Sequence, residues 1–247
     1  MNTPHHAERK SVESALSSSD PSFDPSFDPS SDPSSDPSSA PSLGTSSGKK
    51  VGALVLAAGF SRRFGASKLL AKLPDKPQVS LLEQTLTSLS AALPSIVVVY
   101  RPELRDQFLA IGERVQTKSP DTALSFSEFD DAAAGMGASL AHCANSMTDW
   151  AAALVCLADM PYIKPSTYSL LAKTVTSDTI VAPYFNKARG HPIAFGSTYF
   201  DELRALSGDE GARSLLNKHR VKTLSLAVDD NGILLDIDTK EDLNRRL

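Results

Sequence analysis

From residue 51 onward, apolar positions come in short continuous blocks, separated by stretches in which they recur every three or four residues. The first block, residues 51–57, is apolar on both faces and reads as a buried strand. Residues 80–93 carry a helical repeat that opens on a Ser80/Glu83 capping-box pattern and stops before Pro94. Residues 95–100, rich in β-branched side chains, read as a second buried strand, and 102–110 as a short helix. Strict alternation over 122–130 predicts a strand, 135–147 a helix, and the apolar run from 151 a further strand ending at Asp159. Beyond it the pattern predicts helix over 165–174, strands over 179–183 and 192–196, and helices over 197–206 and 210–219. Strands over 221–228 and 233–238 and a last helix near Thr239 complete the chain. Doubly apolar strands separated by helices imply a mostly parallel sheet covered on both faces, a three-layer α/β/α Rossmann-like domain over residues 49–247.

The first 48 residues break the pattern. Residues 22–39, SFDPSFDPSSDPSSDPSS, repeat with a period of four, and proline at every fourth position blocks helix and removes backbone donors. Too few apolar side chains remain to offset the entropy of ordering, so residues 1–48 are expected to be a disordered, solvated tail. The tail also carries most of the charge imbalance. Residues 1–50 hold seven acids and four bases, against 29 and 25 in the whole chain of net charge −4, which leaves a near-neutral body. That balance gives no support to a nucleic-acid or membrane partner. No apolar stretch approaches a membrane span, and no apolar segment follows Glu8, Arg9 and Lys10 as a secretory signal would require. Cys143 and Cys156 lie in apolar surroundings without ligand spacing and are expected to be reduced and buried, as in a cytoplasmic protein.

The chemistry concentrates where the first strand ends. Residues 56–68 read LAAGFSRRFGASK. In sheets of this class ligands bind at the carboxyl ends of the strands. Ala57, Ala58 and Gly59 keep side chains small there, so that main-chain N–H groups can approach a ligand, while Arg62, Arg63 and Lys68 supply positive charge. A polyphosphate site follows. It is not a P-loop, because five residues rather than four separate Gly59 from Gly65, and it is not a dinucleotide fingerprint, because Gly59 has no glycine two positions on. Asp159, at the end of another buried strand, suits a hard cation such as Mg2+, or else the capping of a turn. Asp236 and Asp238, two apart on a predicted strand, would share a face and could converge on one ion. Asp238 or Thr239 could instead cap the last helix, a task Thr239 and Asp242 can perform alone.

The stretch LAAGFSRRFGASKLL resembles the L-A-A-G-x-S-x-R-M/F-G-x-x-K signature of nucleotidyltransferases, and among them the molybdenum cofactor cytidylyltransferases. The resemblance continues through LADMP (157–161), RGHPIAF (189–195), GDEGAR (208–213) and DIDTKEDL (236–243), and so spans residues 51–247. It departs from the family at FDDAAAGM, where Phe129 and Ala132 replace the usual Asn and Trp while Gly135, Met136 and Ser139 remain, and at Lys240, which replaces a usual Pro.

The resemblance implies a role for each matching position. Leu56, Ala57, Ala58 and Gly59 would contact base and ribose, with Ser61, Gly65 and Ser139 completing the nucleotide site. Arg63 and Lys68 would act on the triphosphate, and Asp159 would coordinate Mg2+ with Asp236 or Asp238 as its second ligand. Arg189, Gly190, His191 and Pro192, together with Gly208, Asp209, Gly211 and Arg213, would lie near the second substrate. His191 need not be a base, since a phosphate monoester with a second pKa of about 6 is largely ionised at neutral pH. It shapes the acceptor pocket or supports its loop. His142 and His219 are expected on helices without chemical roles. The implied reaction is Mg2+-dependent transfer of CMP from CTP to the terminal phosphate of molybdenum-bound molybdopterin, releasing pyrophosphate. A client molybdoenzyme or its chaperone would receive the product. The base preference rests on Ala58, where GTP-using relatives tend to carry a second glycine. Two alternatives stay open on the sequence: transfer from another nucleotide to a sugar phosphate or other small phosphate, and a carrier that binds nucleotide or cofactor without turnover.

Overall fold

Three parallel strands form the spine of the molecule, which a computed structural model describes over residues 50–61, 63–64, 67–209 and 211–244. The expectations for the tail at 1–48, for Arg62 and for Gly65 lie outside the described residues. Strand β1 (Val51–Leu56) pairs in parallel with β4 (Ser95–Tyr100) on one side and with β6 (Ala152–Leu157) on the other. Between β1 and β4 the chain makes a small hairpin, β2 (Lys72–Leu73) and β3 (Lys76–Ser80), and then helix α1 (Leu81–Ser90). Helix α2 (Arg105–Lys118) leads to β5 (Ala123–Glu128), and α3 (Met136–Ala144) to β6. Helix α4 (Pro165–Thr174) precedes β7 (Ile180–Phe185), which turns through β8 (Ala188–Arg189) into β9 (Ile193–Gly196). Helices α5 (Phe200–Arg204) and α6 (Arg213–Lys218), strand β10 (Thr223–Ala227) and helix α7 (Lys240–Asn244) complete the fold.

The main sheet runs β10-β7-β9-β6-β1-β4-β5, with β8 paired to β7. Its strands are parallel except β9, which is antiparallel to both neighbours, β6 and β7, and β8, which is antiparallel to β7. Successive residues of β1 point to opposite faces, and each face is covered. Ala53 and Val55 join Leu86 and Leu89 of α1, Phe108 and Ile111 of α2 and Tyr168 of α4. Leu54 joins Leu140 of α3, Leu203 of α5 and Leu216 of α6. This is the three-layer α/β/α arrangement the pattern predicts.

Close packing explains why some boundaries differ from the pattern. Helix α2 runs eight residues beyond the expected end at Ala110 and passes through Gly112, where a methyl group would lie 2.4 Å from the Phe126 ring. The glycine serves helix-to-strand contact and does not end the helix. At the far, amino end of the central strands, a methyl group on Gly52 would lie 2.3 Å from the ring of Trp150. The predicted strand over 233–238 does not form. Residues Asn231–Leu234 make a 3-10 turn instead, fixed by the Asp230 carboxylate, which accepts the Gly232 N–H at 3.0 Å. Residues 235–238 then run as an irregular segment over the sheet edge, anchored by the Ile237 N–H donating to the Asp159 carbonyl at 3.0 Å.

Half of the expected capping box at α1 forms. Ser80 Oγ accepts the Glu83 N–H at 3.2 Å, but the Glu83 carboxylate turns away to α2, where it accepts from Arg114 at 3.0 Å and Lys118 at 3.2 Å. The carboxylate is 3% exposed. Burial opposes its charge, and the hydrogen bonds and charges of Arg114 and Lys118 outweigh that and hold its pKa below the usual range. A depressed pKa stabilises the fold above the unfolded-state value of about 4.3 and ceases to do so as pH falls through the folded-state value. Glu83→Gln is therefore expected to lower stability at neutral pH by about 1–2 kcal/mol, between an exposed and a buried pair because both cations are half exposed. Thermal melts of the two proteins should converge as pH drops below 4.

Candidate active site

Strands β1 and β6 end level with one another, Leu56 standing opposite Leu157. The turns that leave them therefore begin side by side. The Ala57 N–H still donates to Val99 O at 2.9 Å, but the N–H groups of Ala58 and Gly59 have no partner among the described residues. Gly59 has open space on every side where a methyl group would stand. The fold does not need a glycine there, and the open volume belongs to a cleft. Ser61 turns the chain in a left-handed conformation (φ 50°), and its carbonyl accepts the Phe64 N–H at 3.0 Å.

That cleft encloses about 470 Å³. Leu56, Ala57, Ala58, Gly59, Phe60 and Ser61 form one wall, and Asp159, Asp236 and Asp238 face it, with Arg63 and Lys68 between. Ser139 and Met136 of α3 close the third side, after Gly135. Gly135 has φ 101°, and a side chain there would strike the Gly208 backbone and Asp209 Oδ1 at 2.5 Å. Glycine thus lets the start of α3 press against the 207–209 loop, whose Gly208 carbonyl accepts the Gly137 N–H at 2.7 Å.

The charged groups are already engaged with one another. Lys68 Nζ lies 2.6 Å from Asp159 Oδ2 and 2.8 Å from Asp238 Oδ1, and Arg63 donates to Asp238 Oδ2 at 2.5 Å. Burial works against the Lys68 charge, yet Asp159 and Asp238 together raise its pKa above the usual lysine value. Burial raises the pKa of Asp159, against the opposing pull of Lys68. Hydrogen bonding from Lys68 leads the lowering of Asp238, which Arg63 reinforces. Asp159 Oδ1 is buried and has no partner among the described residues. A half-satisfied, buried carboxylate is a donor set suited to a hard divalent ion, and Asp236 stands on the same cleft wall. No group of three or more His, Cys, Asp or Glu suited to a metal occurs among the described residues, so an ion held here would draw its remaining ligands from substrate and water. Asp238 is spoken for by Arg63 and Lys68. Helix α7 does not need it, because Thr239 and Asp242 cap that helix reciprocally, Thr239 N–H to Asp242 Oδ2 at 2.9 Å and Asp242 N–H to Thr239 Oγ1 at 3.1 Å.

A second cavity of about 620 Å³ adjoins the first and shares Leu56, Met136, Leu157 and Asp209 with it. The reversed strand β9 builds it. Because Ile193 pairs with Val155 in antiparallel sense, the residues preceding β9 arrive at the carboxyl edge of β6. Arg189, Gly190 and His191 thereby line the cavity opposite Arg213 of α6, with Val155, Ile193 and Leu216 as an apolar floor. Gly190 fits beneath Ile233, whose carbonyl accepts the His191 N–H at 3.0 Å. Burial leads a lowering of the His191 pKa, helped by Arg189, and its Nδ1 is buried without a partner among the described residues.

Most of the residues singled out from sequence thus meet on two adjoining cavities. Ser139 lines the first, although its hydroxyl donates to Gly135 O at 3.2 Å. Pro192, Gly208 and Gly211 do not line either cavity and frame their loops, the two glycines with left-handed φ of 64° and 53°. Sequence reasoning missed Phe60, which carries the Arg101 guanidinium 4.6 Å above its ring, and Asn217, one turn beyond Arg213. The Asn217 position, four residues after Arg213 on a predicted helix, was the available signal.

The chain is 32% identical to "Purine catabolism protein PucB" of Bacillus subtilis (strain 168) over 190 residues, 76% of this chain and 91% of that protein. It is 27% identical over 145 residues to a Geobacillus sp. (strain WCH70) protein named "Probable molybdenum cofactor guanylyltransferase", 56% of this chain and 66% of the relative. The crystal structure of Rv0371c from Mycobacterium tuberculosis H37Rv superimposes with a TM-score of 0.64 at 26% identity, covering 78% of this chain and 96% of that one. Residues 53–223 match the MobA-like NTP transferase domain, and the chain belongs to that family of nucleotidyltransferases.

Proposed function

We propose that the protein transfers CMP from CTP to the terminal phosphate of molybdenum-bound molybdopterin, forming the cytosine dinucleotide and pyrophosphate. One observation carries the reading: an open glycine turn with two cations faces a buried, half-satisfied Asp159 across one cleft. The N–H groups of Ala58 and Gly59, without a partner among the described residues, suit phosphate oxygens, and Arg63 and Lys68 suit the charge that gathers on the leaving pyrophosphate. Asp159 with Asp236 would hold Mg2+, which when bound neutralises phosphate charge and fixes the geometry of in-line attack.

The adjoining cavity suits the acceptor. Arg189 and Arg213 attract an anionic end, and the apolar floor suits a flat heterocyclic body. Burial lowers the His191 pKa, and from the cavity lining its side chain would orient the acceptor. The acceptor phosphate is ionised without help from a protein base. Ala58, 4% exposed on the cleft wall, supports a pyrimidine, since its methyl group narrows the space a purine would need. The Geobacillus relative's name favours a second reading with GTP as donor, and the donor test separates the two.

With molybdenum-loaded molybdopterin and Mg2+, CTP is expected to give pyrophosphate and dinucleotide faster than GTP, ATP or UTP. Ala58→Gly should raise the relative use of GTP. Preference of the unaltered chain for GTP would overturn the CTP assignment, and release of pyrophosphate only with another phosphate would overturn the acceptor. Asp159→Asn should cut kcat by about a thousandfold or more while leaving the melting temperature within a few degrees. Gly59→Ala should fold normally, because its methyl group meets nothing, yet raise KM for the nucleotide about tenfold.

A further inference from the structure

Lys68 is the better buried of the two cations in the nucleotide cleft, with its side chain 13% exposed against 73% for Arg63. It issues from the turn Lys68–Leu70 and spans the cleft to the carboxylates of Asp159 and Asp238, which come from the β6 end and the segment before α7. Its ammonium therefore neutralises the very carboxylate proposed to hold the divalent ion. Around it, the described lining carries four acids, Asp159, Asp209, Asp236 and Asp238, against two bases, Arg63 and Lys68.

Two consequences follow from that charge distribution. A divalent ion alone would have to displace or crowd an ammonium group already seated on Asp159, at a cost in Coulomb energy that a buried setting magnifies. A metal-free triphosphate would meet more acids than bases among the described lining residues, with Lys68 committed to carboxylates. Together the two ligands resolve both conflicts: Asp159 exchanges the ammonium for a divalent ion shared with Asp236, Asp238 keeps Arg63, and Lys68 is released to a phosphate oxygen.

We infer that Lys68 is an internal substitute for the divalent cation, which holds the carboxylates of Asp159 and Asp238 and moves to the triphosphate when metal and nucleotide bind together. The inference rests on the proposed metal and nucleotide reading of this cleft and adds an order to it. The metal-nucleotide complex is the ligand, and each component alone binds weakly. Thermodynamic reciprocity requires the ion to tighten nucleotide by the same factor as nucleotide tightens the ion, on the order of ten- to a hundredfold.

The test uses the full chain, Mn2+ and α,β-methylene CTP, an analogue that cannot transfer its nucleotide, with affinities measured by calorimetry. The wild-type chain is expected to bind Mn2+ alone and analogue alone weakly, and their complex tightly. Lys68→Met is expected to shift the two affinities in opposite directions, binding Mn2+ alone about tenfold tighter and the Mn2+-analogue complex weaker. Lys68→Gln, which keeps a polar side chain, should do the same and serves if the Met variant folds poorly by circular dichroism. Wild-type chain that binds Mn2+ equally well with and without analogue would overturn the inference. So would a Lys68 variant that gains no Mn2+ affinity, or one that tightens the complex as well as the free ion. Failure of the underlying reading has a separate signature: Asp159→Asn would then leave the affinity of the Mn2+-analogue complex unchanged.

Discussion

Parallel pairing that brings Leu56 level with Leu157 governs the geometry of everything at the sheet's edge. Backbone pairing along six residue pairs fixes that register, and slipping it by one would exchange the two packed faces of β1, setting Leu54 among the partners of Val55 and the reverse. With the ends aligned, the small-residue turn after β1 and the acid after β6 have to face each other. The Ile237 N–H then uses the Asp159 carbonyl as its anchor, so the C-terminal segment joins the same edge through main-chain atoms. The site is built by the core before any of its side chains interact.

Reversal of a single central strand supplies the other half. Had β9 run parallel to β6, the residues Arg189 to Pro192 would have emerged at the amino edge, far from the cleft. In antiparallel sense they arrive beside Leu157, and the two cavities come to share a wall. Asp209 and Met136 line both cavities. The packing of Gly135 and Gly137 against the 207–209 loop holds the wall together.

Sequence made the central strands legible because they are apolar on both faces and bounded by proline or glycine, signals that survive without tertiary context. It made the turn after β1 legible as a candidate site because small residues and cations at a strand end have few other uses. It failed where a contact from elsewhere in the chain decides the outcome. Residues 233–238 look like a strand, yet Asp230 captures the Gly232 N–H and bends the chain into a turn, and Ile233 and Ile237 then bury in different clusters. The helix expected over 102–110 continues to Lys118 because Gly112 lets it pass close over Phe126. Glu83 looks like a capping residue until Arg114 and Lys118 come within reach. Spacing alone gives no sign that Arg63 and Lys68 close on Asp238, which only the folded chain shows. Asp230 aside, these partners are distant in sequence.

Trp150 is the chain's one tryptophan, 7% exposed, and it lies against Gly52 at the edge of the sheet opposite the cleft. Its indole packs in one cluster with Leu140 of α3, so it is an optical reporter of whether the spine and that helix are docked together.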